Sequence, residues 1–468
     1  MARSGGRAVV IGASMGGLLA ARVLADAFDE VVVLERDSFP PRGEHRKGVP
    51  QGRHTHALLP RGRDALDELY PRLSEELVAE GAPLAAPHQA RRFIAGGYYC
   101  RFPSPLRSLL VSRPLLEAHV RARTLALPNV CAREGMDVRG LATAGEVVAG
   151  VRVAPHDPPD LPPETLDADL VVDASGRGSR APAWLEAMGY AAPEEERVEI
   201  GLGYASRLYR REPHHLGGDQ VLMVTPVPGC PRGSVSLAQE GDRWIVTLLG
   251  YRGDHPPADD RGFTEFARTL AAPDVHELIS EAEPLCDPVP AKFPANQRRY
   301  YERLVHFPRG LLVFGDAVCS FNPMYGQGMT VAALQALALR ACLAGGGPPP
   351  PRRFFAAAAR AVEAPWLLTV GNDRRFVEPA AARSAGTRFV QWYVGKLHVA
   401  ARQDPVAAQA FIRVTGLLDP PPSMLRPRVA AHVLWANLRP AAGAAAGRLP
   451  AAAPTAAPTA APTAAPPA

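Results

Sequence analysis

The first thirty-five residues constrain the fold more than any other segment of the chain. Residues 7–11 form a short apolar run that predicts a buried strand, and the glycine-rich turn Gly12–Gly17 leads into an apolar helix. A second apolar run, residues 31–34, ends at Glu35, about twenty residues after the glycines. This order of strand, turn, helix, strand and acidic residue predicts a dinucleotide-binding βαβ unit. An ordinary βαβ unit without a ligand is the alternative.

The residues of this unit have separate expected roles. Gly12 suits the tight turn, and Gly17 allows the helix to lie close to the strand. The pyrophosphate is expected at the helix N-terminus, beside Ser14 and Gly16, where free N–H groups and the helix dipole favour an anion. Ser14 replaces the usual middle glycine and is small enough to keep the backbone near the phosphates. Glu35 can accept hydrogen bonds from a ribose.

A second motif, far along the chain, indicates which dinucleotide is bound. The apolar run Leu311–Phe314 ends in Gly315-Asp316, where a carboxylate can hydrogen-bond the ribityl hydroxyls of a flavin. The turn Gly326–Met329 then opens a helix whose N-terminus can face the flavin pyrimidine, where negative charge develops on reduction. Alone, Asp316 could equally be a residue in a simple strand-to-helix turn. Together with the N-terminal unit, the motif predicts FAD, bound in part by Asp316, Gly326, Gly328 and Met329.

Composition excludes several other classes of protein. The chain has 468 residues, 47% of them hydrophobic, and a formal charge of +5. That length suits two or three domains with a substantial core. Almost all the positive charge is arginine, and no arginine run is interleaved with aromatic residues as a nucleic-acid groove requires. We therefore expect a small-molecule substrate and no nucleic-acid partner.

Cysteines and apolar segments point to a cytoplasmic protein that does not cross a membrane. The six cysteines are scattered and include no C-x-x-C pair, which favours reduced thiols over disulfides or a zinc site. The chain begins directly with its first strand, without the pattern of a signal peptide. The longest apolar helix, around residues 331–343, is interrupted by Gln335 and Arg340, so no membrane span is expected.

The order of these patterns predicts an α/β protein. A Rossmann-type FAD-binding domain is interrupted by a β-sheet substrate domain and followed by a C-terminal helical region. The predicted segments are the FAD-binding domain at 1–92, 112–190 and 295–345, substrate-domain strands at 93–111, a β-rich substrate domain at 191–294, a helical region at 346–440 and a disordered tail at 441–468. The tail is rich in alanine, proline and threonine, which cannot bury enough apolar surface to offset the entropy of ordering.

Taken together, these motifs resemble those of the single-component flavoprotein monooxygenases of the aromatic-hydroxylase fold. The similarity covers nearly all of residues 5–345 and rests on Gly12–Gly17, Glu35, Arg113, Asp173–Gly176 and Gly315-Asp316. The resemblance implies that Arg113 lies near the FAD and that Asp173–Arg180 corresponds to a motif shared by FAD and NADPH. The chain differs from the family in having Asp-Ala-Ser-Gly instead of the usual Asp-Gly, and Cys319-Ser320 where many members have a histidine.

Within that family, several segments of the chain resemble the epoxidases of polyether ionophore biosynthesis. The matching segments are His45–His56, Ser112–Leu116, Ala168–Leu170, Asn296–Tyr300 and Phe321–Gly326. This resemblance implies epoxidation of the alkenes of a linear polyene polyketide, free or bound to a carrier protein, in the biosynthesis of a polyether antibiotic. NADPH or NADH would reduce the FAD, and O2 would add to it to form a C4a-hydroperoxide, which transfers oxygen.

The motifs leave other functions open. A hydroxylase of an aromatic polyketide shares every cofactor motif and differs only in its pocket. A flavin-dependent reductase or dehydrogenase of a lipid-like substrate would insert no oxygen. Because alkene epoxidation requires no deprotonation of the substrate, the sequence assigns no catalytic acid or base.

Some residues have two interpretations. His54 and His56 lack a clear third ligand, so a polar loop near the flavin is favoured over a metal site, and no metal is predicted. Arg46 and Lys47 could contact the flavin or its phosphates, or belong to a solvated loop. Five aromatic residues could line an apolar substrate pocket or be ordinary core: Tyr98, Tyr99, Phe102, Tyr204 and Trp244.

Overall fold

The computed structural model describes residues 5–46, 48–158, 161–379, 381 and 383–438. Lys47 and the predicted tail at 441–468 lie outside the described residues. Strands and helices alternate through the first half and helices dominate the end, so the predicted α/β class is confirmed.

The strands are β1 (Arg7–Ile11), β2 (Glu30–Leu34), β3 (Leu84–Ala85), β4 (Ala90–Ile94), β5 (Gly97–Tyr98), β6 (Ser108–Leu109), β7 (Val130–Arg133), β8 (Met136–Ala144), β9 (Val147–Pro155), β10 (Glu164–Asp167), β11 (Leu170–Asp173), β12 (Glu195–Arg210), β13 (Val221–Val224), β14 (Arg232–Gln239), β15 (Arg243–Gly250), β16 (Val289–Arg299), β17 (Leu311–Val313) and β18 (Cys319–Ser320). The helices are α1 (Met15–Leu24), α2 (Pro60–Leu69), α3 (Leu73–Ala79), α4 (Arg113–Leu125), α5 (Ala181–Ala187), α6 (Asp260–Arg268), α7 (Asp274–Glu281), α8 (Gly328–Leu343), α9 (Pro351–Val377), α10 (Ala385–Ala400), α11 (Pro405–Thr415) and α12 (Pro427–Leu438).

A parallel five-stranded sheet carries the predicted nucleotide-binding motifs. Its strand order is β17-β11-β1-β2-β7, and its central strands are almost entirely buried apolar residues, as a sheet covered on both faces requires. Ile11 pairs with both Leu34 and Asp173, and Asp173 pairs with Val313. Because parallel strands end at the same edge, the segments that follow β1, β2, β11 and β17 lie side by side.

An eight-stranded, mostly antiparallel sheet forms the second layer. Its order is β18-β16-β12-β15-β14-β13-β4-β5, with β4 and β13 parallel. The predicted hairpin with its turn at Glu240–Arg243 is confirmed, because Gln239 pairs with Arg243. The strands predicted within 93–111 are short: β4, β5 and β6 cover only a few residues of that segment. The rest is irregular, because Pro103 and Pro105 cannot donate a backbone hydrogen bond to a sheet.

The C-terminal helices cover the end of the eight-stranded sheet and touch the nucleotide-binding half. On α9, Phe376 stacks on Tyr251 of the sheet domain, with ring centroids 4.0 Å apart, and Phe354 lies beside Phe314 at the end of β17. Helices α10, α11 and α12 bury their apolar faces against one another and against Tyr99. In the part of the chain that the structure describes, no helix has the length and apolar character needed to span a membrane.

Candidate cofactor site and adjoining cavity

The fold brings the two glycine motifs into contact. A Cβ placed on Gly16, at the start of α1, would lie 3.9 Å from the Cα of Gly315, directly after β17. Gly315 has a φ of +67°, a left-handed conformation that suits glycine. The segments that the sequence assigned to the two ends of an FAD therefore share one edge of the parallel sheet.

The backbone packs so closely at positions 12 and 17 that only glycine fits there. Gly12 has a φ of +95°, and a Cβ there would lie 2.8 Å from the carbonyl oxygen of Ala174. A Cβ on Gly17 would lie only 1.7 Å from the carbonyl oxygen of Gly12. These positions place α1 directly against the turn, as expected for a helix N-terminus that approaches a pyrophosphate closely.

Ser14 begins α1 without capping it. Its side chain makes no hydrogen bond to the first turn of the helix. Instead the hydroxyl oxygen accepts a hydrogen bond of 2.7 Å from Nη2 of Arg113, the first residue of α4. The N–H groups of the first turn are therefore not occupied by a capping side chain, and Arg113 adds positive charge beside them. Both features favour an anionic ligand at this point.

A buried network of ion pairs lies behind Ser14. Glu117 is 3% exposed and accepts hydrogen bonds from Nε of Arg113 at 2.9 Å and Nη1 of Arg46 at 2.8 Å. Burial alone would raise the pKa of Glu117, but Arg113 and Arg46 together outweigh that effect and lower it. Arg46 also lies 2.6 Å from a carboxylate oxygen of Glu35. Burial would lower the pKa of Arg46, but Glu35 and Glu117 raise it.

Glu35 lies at the end of β2, as predicted. Its carboxylate accepts hydrogen bonds from the backbone N–H groups of Ala13, at 2.8 Å, and Asp37, at 3.1 Å. These bonds fix the side chain beside the glycine turn. Arg46, for which the sequence left two roles open, is buried in this network and is not part of a solvated loop.

The Asp173 carboxylate is hydrogen-bonded within the turn that follows β11. Asp173 is fully buried, and its carboxylate accepts hydrogen bonds from the Ser175 N–H at 2.9 Å and from the hydroxyls of Ser175 and Ser179 at 2.5 and 2.6 Å. These contacts hold the turn after β11 in shape. A direct contact between Asp173 and a cofactor stays a prediction.

Asp316 is exposed beside the N-terminus of α8. It belongs to the surface formed by Gly12–Gly17, Glu35, Arg113 and Gly315–Gly328, which we call the cofactor recess. Its side chain is accessible to solvent, yet protein atoms crowd it on several sides, and this burial raises the pKa of its carboxyl against the opposing effect of Arg113 and Arg177. A Cβ on Gly328 would lie 4.0 Å from the Asp316 carboxylate. Gly326 has a φ of +63°, which turns the chain into α8, and Met329 packs against the core. The structure thus brings Asp316, Gly326, Gly328 and Met329 together.

A buried carboxylate on α9 holds the turn before α8. Asp373 is 0% exposed and accepts hydrogen bonds from the hydroxyls of Tyr251 and Tyr325, at 2.8 and 2.9 Å, and from the amides of Asn296 and Asn322, at 2.7 and 3.1 Å. Burial raises its pKa, and the hydrogen bonds oppose that effect. The cluster ties the segment Asn322–Tyr325 to α9 and to the second sheet.

A cavity of about 1400 Å³ begins at this turn. Pro323–Gln327 form part of its wall, the eight-stranded sheet forms another, and helices α9, α10 and α11 line a third. Its sheet side includes Leu202, Leu237 and Leu249. Most ligand pockets measure roughly 300–1,000 Å³, so this cavity is large enough for an extended apolar molecule.

The five aromatic residues considered for a pocket have different positions. Tyr204 lines the cavity. Trp244 is fully buried in the sheet core, Tyr99 and Phe102 are core residues beneath the C-terminal helices, and the hydroxyl of Tyr98 is hydrogen-bonded to Asp274. The pocket hypothesis is therefore wrong for four of the five. Strand periodicity cannot distinguish a core face from a cavity face, since both are apolar.

His54 and His56 lie next to the cofactor recess and the cavity. Nδ1 of His54 is 2.8 Å from the Ser206 hydroxyl, and its ring meets Tyr204 edge-on at 4.6 Å. Burial, with a contribution from Arg53, lowers the pKa of His54 to about 4, and burial with Arg113 does the same for His56. Both histidines are therefore neutral near pH 7. Among the described residues, three potential metal ligands cluster at a different place, formed by His214, His215 and Glu281. Their potential ligand atoms lie within 4.8 Å of one another.

Sequence reasoning missed several residues of the site. Glu117 follows Arg113 by one helical turn, a spacing that could have indicated an ion pair. Asp373 gave no local signal, because its four partners come from three distant segments. The cavity-lining residues of α9 and α10 were likewise not identified.

The residues present fit FAD. The recess provides an uncapped helix N-terminus at Gly16, a carboxylate at Glu35 for a ribose, a second carboxylate at Asp316 for a ribityl chain, and the N-terminus of α8 for a flavin ring. The glycines keep this path clear of side chains. Along the sheet edge, Glu35 after β2, the glycine turn after β1 and Asp316 after β17 follow the order of groups along a flavin dinucleotide.

Comparison with known proteins agrees with this geometry, although no protein-family model matches the chain. Protein Rv3254 of Mycobacterium tuberculosis is 37% identical over 435 residues, which covers 88% of this chain and 90% of that protein. Kynurenine 3-monooxygenase of Salinispora arenicola is 28% identical over 370 residues, covering 72% of each chain.

Two solved structures have the same fold. The flavin-dependent brominase Bmp2 superimposes with a TM-score of 0.63 over 92% of this chain and 98% of its own, at 15% identity. PqsL of Pseudomonas aeruginosa, a probable FAD-dependent monooxygenase, has a TM-score of 0.60 over 80% of this chain and 98% of its own, at 16% identity. The chain thus belongs to the same family as Protein Rv3254 and has the fold of the FAD-dependent monooxygenases and halogenases.

Proposed function

We propose that the protein is an FAD- and NAD(P)H-dependent monooxygenase that epoxidises alkenes of a linear polyene polyketide, as in polyether antibiotic biosynthesis. The observation that carries this proposal is the cavity of about 1400 Å³ that adjoins the turn before α8. Its volume and mostly apolar lining suit an extended hydrocarbon chain better than a single aromatic ring. The similarity of the sequence motifs to those of polyether epoxidases supports the same substrate class.

In this proposal the cofactor carries the chemistry and the chain provides orientation and exclusion of water. The recess would hold FAD, which would supply O2 activation and the transfer of one electrophilic oxygen atom, with NAD(P)H as the source of electrons. Each alkene takes up one oxygen atom of O2 to form an epoxide, and the other atom leaves as water with the two electrons of NAD(P)H. The Asp373 cluster holds the turn Asn322–Tyr325 in place, and the apolar wall excludes water from the reacting carbon atoms.

The cavity histidines favour an alkene over a phenol. Hydroxylation of a phenol gains from a base that removes the hydroxyl proton, and both His54 and His398 line the cavity. Burial lowers the pKa of each to about 4, with a contribution from Arg53 at His54 and from Arg375 at His398, so both are weak bases. Epoxidation does not require such a base. Hydroxylation of an aromatic polyketide remains the second candidate, favoured by the similarity to kynurenine 3-monooxygenase.

Labelled oxygen distinguishes these activities. FAD-loaded protein is incubated with NADPH, ¹⁸O2 and a linear substrate that bears trisubstituted alkenes, and the products are analysed by mass spectrometry and NMR. One ¹⁸O atom per reacted alkene, in an epoxide, is the expected result. Incorporation into an aromatic polyketide but not into the polyene would favour the hydroxylase. A change in substrate hydrogen count without oxygen uptake would contradict the monooxygenase assignment.

A further inference from the structure

Among the described residues, seven arginines line the cavity, and three of them, Arg298, Arg303 and Arg374, have carboxylate partners. Arg298 is paired with Glu302 and Glu363, at 2.9 and 2.7 Å. Arg374 is paired with Glu196 and Glu378, at 2.8 and 3.1 Å. The charge of these two residues is therefore compensated within the protein.

Arg375, next to Arg374 on α9, is different. It is half-buried and lines the cavity, and Nη1 donates to the side-chain oxygen of Asn372 at 3.0 Å. Within the described part of the chain, no carboxylate lies within ion-pair distance of its guanidinium. Burial, followed by the nearby charge of Arg383, lowers the pKa of Arg375. A bound anion strongly stabilises a partly desolvated guanidinium group that lies next to a second guanidinium group.

Arg383 adds a second positive charge at the same place. Its Nη2 donates to the carbonyl oxygens of Arg375, at 3.2 Å, and Glu378, at 2.9 Å, at the C-terminal end of α9. Its Nη1 donates to Gln391 at 3.0 Å, and its buried Nε–H has no hydrogen-bond partner. These bonds also close the end of the helix, so Arg383 has a structural role as well as an electrostatic one.

The rest of the cavity indicates what the anion is attached to. Leu367, Phe389 and Val390 line the cavity and are 58%, 54% and 52% exposed. Large apolar side chains that are this exposed form an apolar surface along which a hydrocarbon chain can bind. A ligand with one anionic end and a long apolar body matches both the arginine pair and these walls.

We propose that Arg375, with Arg383 beside it, binds the carboxylate of a free long-chain unsaturated acid. The inference rests on the proposed function and specifies it: the polyene enters as a free acid and not as a carrier-bound thioester. Asn372 connects this anchor to the cofactor side, because its amide nitrogen lies 2.6 Å from the hydroxyl oxygen of Tyr325. Anchoring the carboxylate at Arg375 would fix which alkene reaches the turn at residues 323–327.

Arg92 and Arg360 also line the cavity without a carboxylate partner in the described structure, and Arg360 is exposed to solvent, so Arg92 is the one to be compared with Arg375. Burial lowers the pKa of Arg92 to about 10, and Arg92 donates to the carbonyl oxygen of Pro87 at 3.1 Å. In the described structure, no second arginine lies beside Arg92 in the way that Arg383 lies beside Arg375. We therefore place the carboxylate at Arg375, and Arg92→Gln serves as a comparison in the test.

Binding measurements test the proposal without requiring turnover. FAD-loaded protein is titrated calorimetrically near neutral pH with geranylgeranoic acid and with its methyl ester, both below their aggregation concentrations. The acid is expected to bind at least about tenfold more tightly, the scale of one charge-assisted hydrogen-bonded pair. In Arg375→Gln the ratio of the affinity for the acid to the affinity for the ester should fall to nearly one, with the affinity for the ester unchanged. Arg375→Lys should restore part of it.

Arg374→Gln is the matched control, since it removes an adjacent arginine that is already paired. It and Arg92→Gln should retain the preference for the acid. Equal binding of acid and ester by the unmodified protein, or an undiminished preference in Arg375→Gln, would overturn the proposal. Preferential acid binding without epoxide formation in the oxygen experiment would instead contradict the proposed function and leave this site standing.

Discussion

The cofactor recess and the cavity differ in how their residues are distributed along the chain. The recess is built mainly from short segments, Gly12–Gly17, Arg113–Glu117 and Gly315–Met329, each with a local pattern. The cavity is built from single residues of many strands and helices, among them Tyr204, Leu249 and Arg375. This difference teaches that binding of a cofactor common to many proteins depends on backbone geometry, which motifs encode, whereas substrate binding depends on side chains that the fold assembles.

The two regions also differ in their electrostatics. Behind the recess, Arg46, Arg113, Glu35 and Glu117 pair with one another in a buried network. At the end of the cavity, Arg375 has a neutral partner, Asn372, in the described structure. The pairing behind the recess holds in place the residues that face the cofactor, whereas Arg375 lacks a carboxylate partner in the described structure, which indicates an anionic ligand. We therefore expect substitutions in the recess to affect stability more strongly than substitutions in the cavity.

The largest effect is expected at Gly17. In Gly17→Ala the new Cβ would lie 1.7 Å from the Gly12 carbonyl oxygen, so α1 must move away from β1. We expect a loss of at least about 3 kcal/mol in the free energy of unfolding of the apoprotein, measured in urea, and a loss of FAD binding.

Gly16→Ala is the control for this effect. Its Cβ would have its nearest neighbour, a ring carbon of Phe314, at 3.7 Å, which is ordinary contact. The stability of the apoprotein should change by less than about 1 kcal/mol. Similar losses in the two variants would show that the close approach at Gly17 is not the cause.

The next effect is expected at Glu117. Glu117→Gln leaves Arg46 and Arg113 without their shared carboxylate in a buried environment, and we expect a loss of roughly 3–5 kcal/mol at neutral pH. The same measurement on Arg374→Gln, whose carboxylate partners are partly exposed, should show a much smaller loss.

The pH dependence of stability tests the Glu117 assignment further. Because its pKa is lowered in the folded state, Glu117 stabilises the fold above its unfolded pKa, and this stabilisation is lost as the pH falls through the lower folded value. The unmodified protein should therefore lose stability below about pH 4, and Glu117→Gln should show a shallower loss there. Parallel curves for the two proteins would contradict the network.

The smallest effect is expected at His54 in the cavity. Its folded pKa of about 4 lies below the unfolded value, so the unfolded chain takes up the proton first and stability falls as the pH drops from about 6.5 to about 4. His54→Gln should lose about 1 kcal/mol near neutral pH, from its bond to Ser206, and should show a weaker decline over that range. An unchanged decline would show that other groups cause it.

The sequence was sufficient to predict the fold class and the meeting of the two glycine motifs. Gly12, Gly17 and Glu35 could be identified because a tight turn, a close helix and a ribose carboxylate require those residue types at nearly fixed spacing. Asp373 could not, because its partners Tyr251, Asn296 and Asn322 are distant in sequence. Nor could the sequence separate Tyr204, which faces the cavity, from Trp244, which faces the core, since both are aromatic residues on strands.

A crystal structure of the protein with bound FAD would test the central claim most directly. We predict one FAD per chain, with its adenosine ribose at Glu35, its pyrophosphate at the N-terminus of α1, its ribityl chain at Asp316, and its flavin ring at the N-terminus of α8, open to the cavity. FAD density at another site, or a flavin ring separated from the cavity by the turn at residues 323–327, would contradict the account.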